Sequence, residues 1–560
     1  MMSLEHKSKE DFLMNAKKGL AKLTVLFLVL GLLSGCGKGA KPSNPDEGSQ
    51  NGTTTNGTTT NNSTTAEEKG NFNATGLPIL NEPEEFTFMV MQQSTTHPAE
   101  NKPIVKETEE ATNIKINWIE VPQSSWKEKT NIAFASGDLP DVFASGGIDT
   151  ALHYEQFLIL DDLIEQYAPN VQKILEDPRY AQGLKAPDGK IHQLPGGDEA
   201  FNNQMDKTLW INQAWLDTLG LKMPTTTDEF YDVLKAFKEK DPNGNGKADE
   251  IPLTFQGITT WATGMSNLFG PFGVLETGSH VFMDGDKVVF AAREQGYYDA
   301  LQWMHKLFKE GLIDQEAFSH SAEQYGSKAK GKDIIGATVN WRPDVTVGPE
   351  LGDNYTHVVP LKGPEGKQMV SLNNIVRTSG FGITTACKNP EALIRWYDYI
   401  NSSMEMTLKW SRGVENEHWK KVEGDKFMFT PENRPADVNA GEWKNNFTFG
   451  GQSPSLWTIT MEDRIVPNPN SPKDIKKAAI TESLPYAIPG LPAGSDTPEN
   501  TERKSMLSAD IDTYITKFIA TSVINGIDEQ KWEAHLKALK DLRVDEYVEI
   551  SQEYVDRLAK

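Results

Sequence analysis

Three observations predict an α/β fold arranged in two lobes with a helical C-terminal part. Apolar runs of strand length alternate with helix-period segments; the alternation starts afresh after residue 200; and the last fifty residues carry only the helical period. Phe86 to Gln92, FTFMVMQ, is nearly continuous in apolar residues, as a strand covered on both faces must be. Pro103 to Asn113 then reads as a helix, Ile114 to Glu120 as a strand, Lys127 to Gly137 as a helix and Asp141 to Gly146 as a strand. This β-α-β-α-β order implies an open, mostly parallel sheet with helices on both faces. The second set comprises the strand Thr208 to Asn212, helices from about Thr227 to Lys240 and from Tyr297 to Glu310, and strands Ile334 to Asn340 and Thr356 to Leu361. From Ser505 to Leu558, Ile511, Ile515, Phe518 and Ile519, then Trp532, Leu536 and Leu539, recur at helical spacing and form core stripes.

Ahead of this domain stands an export signal. Lys17, Lys18 and Lys22 flank an apolar run, Leu23 to Leu33, too short for the roughly 20 residues of a membrane-spanning helix. Leu33-Ser34-Gly35-Cys36 resembles a bacterial lipobox, which implies cleavage and diacylation of Cys36, with 1–35 as the signal peptide. Each buried acyl methylene contributes about 0.8 kcal/mol, and two or more chains anchor stably. A soluble secreted chain with a chance cysteine is the alternative. Residues 36–75, with NGTTT twice in succession, bury too little apolar surface to fold and read as a tether. The other cysteine, Cys387, then has no disulfide partner, so the domain from residue 76 to 560 rests on its core. A formal net charge of -23 argues against nucleic acid and against a basic membrane-binding face.

The sharpest local motif is a candidate calcium loop at Asp241, Asn243, Asn245, Lys247, Asp249 and Glu250. Ca2+ needs six to eight oxygens, and D-x-N-x-N-G supplies side-chain oxygens at alternate positions, a turn glycine and a backbone carbonyl at Lys247. Pro252 stands where an EF-hand carries its bidentate Glu, so Asp249 and Glu250 have to complete a structural site. A metal-free helix-to-strand turn is the alternative. Gly326 to Asp333 nearly matches a phosphate loop, but Asp333 replaces the Mg2+-binding hydroxyl and a strand follows where a helix should. HExxH, GxSxG and Cys/His metal spacings are absent, and no catalytic constellation emerges.

Aromatic residues beside polar ones recur at Trp261, at Trp341-Arg342, between Glu415 and Trp419, and at Trp457. Such pairs suit a sugar, whose ring faces stack on aromatics while its hydroxyls take hydrogen bonds. Trp341-Arg342 has the strongest case, because clefts of α/β sheets open at strand ends.

The segments ASGDLPDVF (135 to 143), WINQAWLDTLGLKMPTTTDEF (210 to 230), IIGATVNWRPD (334 to 344), GVENEHW (413 to 419) and INGIDEQKWEAHLKAL (524 to 539) resemble family 1 extracellular solute-binding proteins of carbohydrate ABC importers. Within it the chain is similar to the large lipobox-bearing Gram-positive branch that includes alginate-oligosaccharide binding proteins with a comparable calcium loop. The resemblance implies a two-lobed, periplasmic-binding-protein-like fold of type II, closing about a hinge on an oligosaccharide that it hands to membrane permease subunits. It implies lobe 1 at about 76–195 plus 373–405 and lobe 2 at about 205–368 plus 410–560, with crossings near Gln193 to Asn203, near Val370 to Ile375 and before Trp410. It also implies Asp141 near the cleft at a strand end, Trp341 and Arg342 on the second lobe's cleft edge, and Glu415 and Trp419 in a family motif whose second glycine is here Asn416. A lipid-anchored monomer on the extracytoplasmic face, with structural calcium and no catalytic turnover, is the reading that results. A surface glycoside-active enzyme with paired carboxylates, and a peptide or signalling receptor of the same fold, are the alternatives.

Overall fold

Phe86, Phe88 and Val90 alternate inward along one strand, and the helices that follow return the chain to the same edge, so three strands of the first sheet lie parallel. The computed structural model describes residues 70–559 except 94–96, 149, 259, 261, 436–437, 439 and 470–473. Glu84–Gln92 is flanked by Ile114–Pro122 and Val142–Phe143, both parallel to it. The connecting helices are Pro103–Thr112, closed by Asn113 at φ 59°, and Trp126–Ser136, closed by Gly137 at φ 74°. Left-handed residues at these positions are the usual helix stop. Gly380–Ile383 and Leu194–Pro195 complete the five-stranded sheet.

A four-stranded sheet runs in the order Tyr355–His357, Thr208–Asn212, Ile335–Asn340, Ile251–Thr254. The expected mostly parallel arrangement is only partly met. Gly380–Ile383 runs antiparallel to both its neighbours in the first sheet, and Thr208–Asn212 does so in the second. Each enters its sheet soon after the chain has come across from the other one. With no crossover helix to turn it round, it enters from the opposite end. Periodicity within one strand carries no direction, so the sequence does not reveal this.

Each sheet has its own core. In the first, Phe88, Phe381 and Trp396 pack with ring centroids 5.2–5.8 Å apart, and Trp410 lies 5.5 Å from Trp396. Met406, Trp410, Phe449 and Leu456 belong to this core, which moves the last crossing from before Trp410 to beyond residue 457. The cause is helix Met404–Arg412, whose apolar stripe faces Trp396 rather than the second lobe. In the second core, the stripe Ile511, Ile515, Ile519 and Val523 of helix Pro498–Asn525 is fully buried, with helices Glu529–Asp541 and Val544–Leu558 beside it. The helical C-terminal part thus belongs to the second lobe. No helix among the described residues is long and apolar enough to cross a membrane.

Candidate functional site

Between the lobes, at the ends of their strands, runs a polar cleft made of adjoining cavities. The larger, about 610 Å³, is lined by Gly147 and Ile148 beyond the strand Val142–Phe143, by Thr378 and Ser379 of a crossing segment, and by Ser505, Ser508 and Asp512 of the long C-terminal helix. A second, about 430 Å³, lies against Trp341, Asp206, Asn203, Asn373 and Arg377. A third, about 250 Å³, shares Asp206, Thr277, Ser371 and Asn373 with it. Volumes of this order suit small-molecule ligands. Residues of the turn 276–281 line all three cavities.

That turn is held by charge. His280, at φ 59°, lies 2.6 Å through Nδ1 from Glu276 and 3.2 Å through Nε2 from Asp512. Tyr297 donates to the other oxygen of Glu276 at 2.6 Å. Burial opposes a charge on His280, but the flanking carboxylates prevail and push its pKa up to about 10. Few non-glycine residues adopt this backbone conformation, and it persists where the surroundings enforce it.

The expected sugar contacts divide sharply. Trp341 follows the strand Ile335–Asn340 and lines the second cavity, half-buried, with the Lys476 ammonium 4.6 Å from its ring centroid. Lys476 is buried, donates to Thr208 Oγ1 at 2.7 Å and has its pKa pushed down to about 7 by that burial. Arg342, next in sequence, turns to Asp344 at 2.9 Å. Asp141 does not end a strand at the cleft: it precedes Val142–Phe143, and its Oδ2 accepts from the Thr87 backbone N–H at 2.7 Å and the Thr87 hydroxyl at 2.9 Å. It braces two strands together. Trp419 and Trp457, 0% and 1% exposed, are core residues beside Phe427 and Leu408, not cleft residues. Trp419 donates to the Gly413 carbonyl at 2.7 Å, and the Arg412 guanidinium stacks 4.1 Å from the Trp457 ring. Glu415 lies on the exposed turn beside them, where Asn416 at φ 63° takes the conformation a glycine would offer. Trp261 and Cys36 lie outside the described residues.

Sequence reasoning missed Asn203, Asp206, Asn373, Arg377, Lys476 and the 276–281 turn. The asparagine pairs Asn202-Asn203 and Asn373-Asn374 were the available signal, because chain that crosses between lobes must also line the space between them.

The 241–250 loop follows helix Thr227–Glu239, whose N-terminus has the capping box Thr226/Glu229, and leads into the strand Ile251–Thr254. Asp241 accepts from the backbone N–H groups of Asn245 and Gly246, at 3.1 and 3.0 Å, and Asn245 Oδ1 accepts from that of Lys247 at 2.8 Å. The side-chain amides of Asn243 and Asn245 both donate to Asp249. Glu250 Oε1 is buried with no hydrogen-bond partner, and burial, then the charges of Asp241 and Asp249, raise its pKa. That orphaned carboxylate oxygen, within the field of Asp241 and Asp249 and in one loop with the oxygens of Asn243 and Asn245, is the kind of donor a hard cation takes. Among the described residues no three Asp, Glu, His or Cys side chains converge as a metal-binding group, so such a site has to draw on asparagine and backbone oxygens. Asp333 of the near-miss phosphate loop is occupied by donors from Asn212 and Trp215, each at 3.1 Å.

Residues 93–407 match the bacterial extracellular solute-binding protein family. The chain belongs to that family. The chain is 30% identical over 486 residues, 81% of its length and 87% of the relative's, to the fructooligosaccharide ABC transporter substrate-binding protein FusA of Streptococcus pneumoniae serotype 4. The structure of the S. pneumoniae FusA in complex with kestose superposes with a TM-score of 0.75 at 28% identity, covering 85% of this chain and 99% of that one. A FusA EF-hand mutant in complex with fructo-nystose gives 0.74 with the same identity and coverage. The alginate-binding protein AlgQ2, solved without calcium ion, gives 0.67 at 25% identity, covering 87% and 100%. As in other solute-binding proteins of this family, two α/β lobes are joined by crossing segments, and this chain has the type II arrangement.

Proposed function

We propose that the chain is the lipid-anchored substrate-binding component of an ABC importer, which captures an oligosaccharide between its lobes and delivers it, unaltered, to the permease. The observation that carries this is Trp341: an aromatic face at a strand end, in a cleft whose walls include the hydroxyls of Ser279, Ser379 and Ser505 and the amides of Asn203 and Asn373 among charged and apolar side chains. A pyranose or furanose ring stacks on such a face while its hydroxyls replace water on the surrounding groups. FusA, similar over most of its length, is described as binding fructooligosaccharides, which supports a saccharide cargo. The three crossings let the lobes close on the ligand. Acylated Cys36 would anchor the chain as a monomer on the extracytoplasmic face. Asp241, Asn243, Asn245, Asp249, Glu250 and the Lys247 carbonyl would hold Ca2+, fixing the turn between helix Thr227–Glu239 and strand Ile251–Thr254.

The test is a thermal-shift panel of oligosaccharides on the purified chain with calcium present. A ligand at a hundredfold excess over its dissociation constant stabilises the folded state by about 2.7 kcal/mol. One sugar class should raise Tm and be recovered intact; smaller products would point to an enzyme, and flat curves throughout would refute the saccharide reading. Cys36→Ser should release the chain from membranes, and persistent tight association would sink the anchor.

A further inference from the structure

We propose that Lys476 is a positioning residue for the bound ligand: its ammonium closes one face of the Trp341 ring and holds the opposite face toward the cavity. The inference rests on the saccharide reading above, in which a sugar stacks on Trp341.

Lys476 is the second residue of the helix Ile475–Ser483, which packs against the four-stranded sheet through Ile475 and Ala479. It is 0% exposed and lines none of the three cleft cavities. Its ammonium donates to the Thr208 hydroxyl at 2.7 Å and stands 4.6 Å from the centroid of the Trp341 ring. Thr208 is the register partner of Asn340, the residue before Trp341, so the lysine is anchored on the strand pair from whose end the tryptophan projects. Trp341 is half-buried and lines the second cavity. With one ring face covered by a fully buried group, a sugar has only the other to stack on.

Among the described residues, no carboxylate forms an ion pair with this ammonium. Asp206 holds Lys207 at 2.7 Å, and Asp344 holds Arg342 at 2.9 Å. Asp474 caps the helix, accepting from the Lys477 backbone N–H at 3.0 Å and from the Asn202 amide at 3.1 Å. His357, on the neighbouring strand Tyr355–His357, lies 3.1 Å from Glu482. A buried cation without a carboxylate partner costs the fold stability. What it contacts instead is the indole face, an attraction that strengthens when the cation is desolvated. That attraction needs the proton. Burial, aided by Arg342 and Lys207 and opposed by Asp206 and Asp474, brings the Lys476 pKa down to about 7. The ring therefore has its cation below neutral pH and loses it above.

Calorimetric titration of the purified chain with calcium present, against kestose, raffinose, maltotriose and trigalacturonate, tests this with whichever of them binds most tightly. The unaltered chain should bind about 5-fold more tightly at about pH 6 than at about pH 8.5. Lys476→Met should lose that difference and bind at both pH values as the unaltered chain does at the higher one, while its Tm stays the same or rises. A merely structural lysine would lower Tm and leave no pH profile. In a Trp341→Ala background, Lys476→Met should change affinity no further, because the lysine acts through the ring. An affinity that pH leaves unchanged, full affinity in Lys476→Met, or an equal loss in the Trp341→Ala background overturns the proposal and leaves the saccharide reading standing. Binding of none of the four sugars removes the saccharide reading, and the proposal with it.

Discussion

The 241–250 loop and the interlobe cleft are the two candidate sites of this protein, and they are built in opposite ways. The loop takes all its donors from ten consecutive residues, with two left-handed glycines, Gly244 and Gly246, turning the chain. The cleft draws on residues from 147 to 554, and no two of its principal walls are close in sequence. A contiguous site keeps its composition however the domains pack. A distributed one exists only when both lobes and all the crossings are in place. Chelating calcium should therefore act locally on stability, whereas changes at the cleft should act on affinity.

The largest effect expected separates core tryptophans from cleft tryptophan. Trp419→Ala should cost about 3–5 kcal/mol of stability, as deletion of a fully buried aromatic does. Chemical denaturation would read it, and a loss under 1 kcal/mol would return Trp419 to the list of cleft candidates. Next comes the loop. Chelation of calcium, or Glu250→Gln, should lower stability by about 2–3 kcal/mol relative to the calcium-saturated chain, with the fold and sugar affinity retained. Unchanged melting on chelation, with no metal by elemental analysis, would leave a plain turn there. Trp341→Ala should weaken sugar binding by about 2 kcal/mol, some 30-fold, as loss of a central aromatic contact does, while changing Tm less than Trp419→Ala. If the order of those two Tm changes is reversed, Trp341 is core.

A further expected effect concerns pH. The folded-state pKa of His280 lies near 10, above the ordinary histidine value of 6.5, so the folded chain binds the extra proton. Its contribution is full below about pH 6.5 and is lost as pH rises toward 10, with a slope of at most about 1.4 kcal/mol per pH unit. The neutral side chain in His280→Asn, with asparagine tolerant of the left-handed backbone, should flatten that slope between pH 7 and 9. An unaltered slope would show that the ion triad does not carry it. The same variant should also loosen the 276–281 turn and weaken sugar binding, whereas the response of stability to calcium chelation should not change.

Much of the architecture was legible in advance. The strand Thr208–Asn212 and the helix Thr227–Glu239 fall where TLWIN and the Thr226/Glu229 box place them, because these elements are fixed by local periodicity and capping. The strand Gly380–Ile383, GFGI, was not foreseen. It has only four residues, two of them glycines, and no polar face, and it is a strand only because Val142–Phe143 and Leu194–Pro195 offer their edges on either side. Among the aromatics, spacing could not tell Trp341 from Trp419. Both follow or open short strands and both have charged neighbours, and only packing against Met404, Leu408 and Phe427 buries one of them. Asp141 was misplaced for a related reason: a carboxylate beside a strand looks available until its partner, Thr87, is known.

The sequence by itself determined the periodicity of the α/β elements and the capping and turn of the 226–250 stretch, since each depends on residues within a few turns of chain. Only the tertiary structure decided the strand directions, the packing of Met406, Trp410, Phe449 and Leu456 in the first core, and the His280 triad. These depend on contacts between groups tens to hundreds of residues apart. Burial and pairing of that kind are properties of the packed whole, and no local window of sequence contains them.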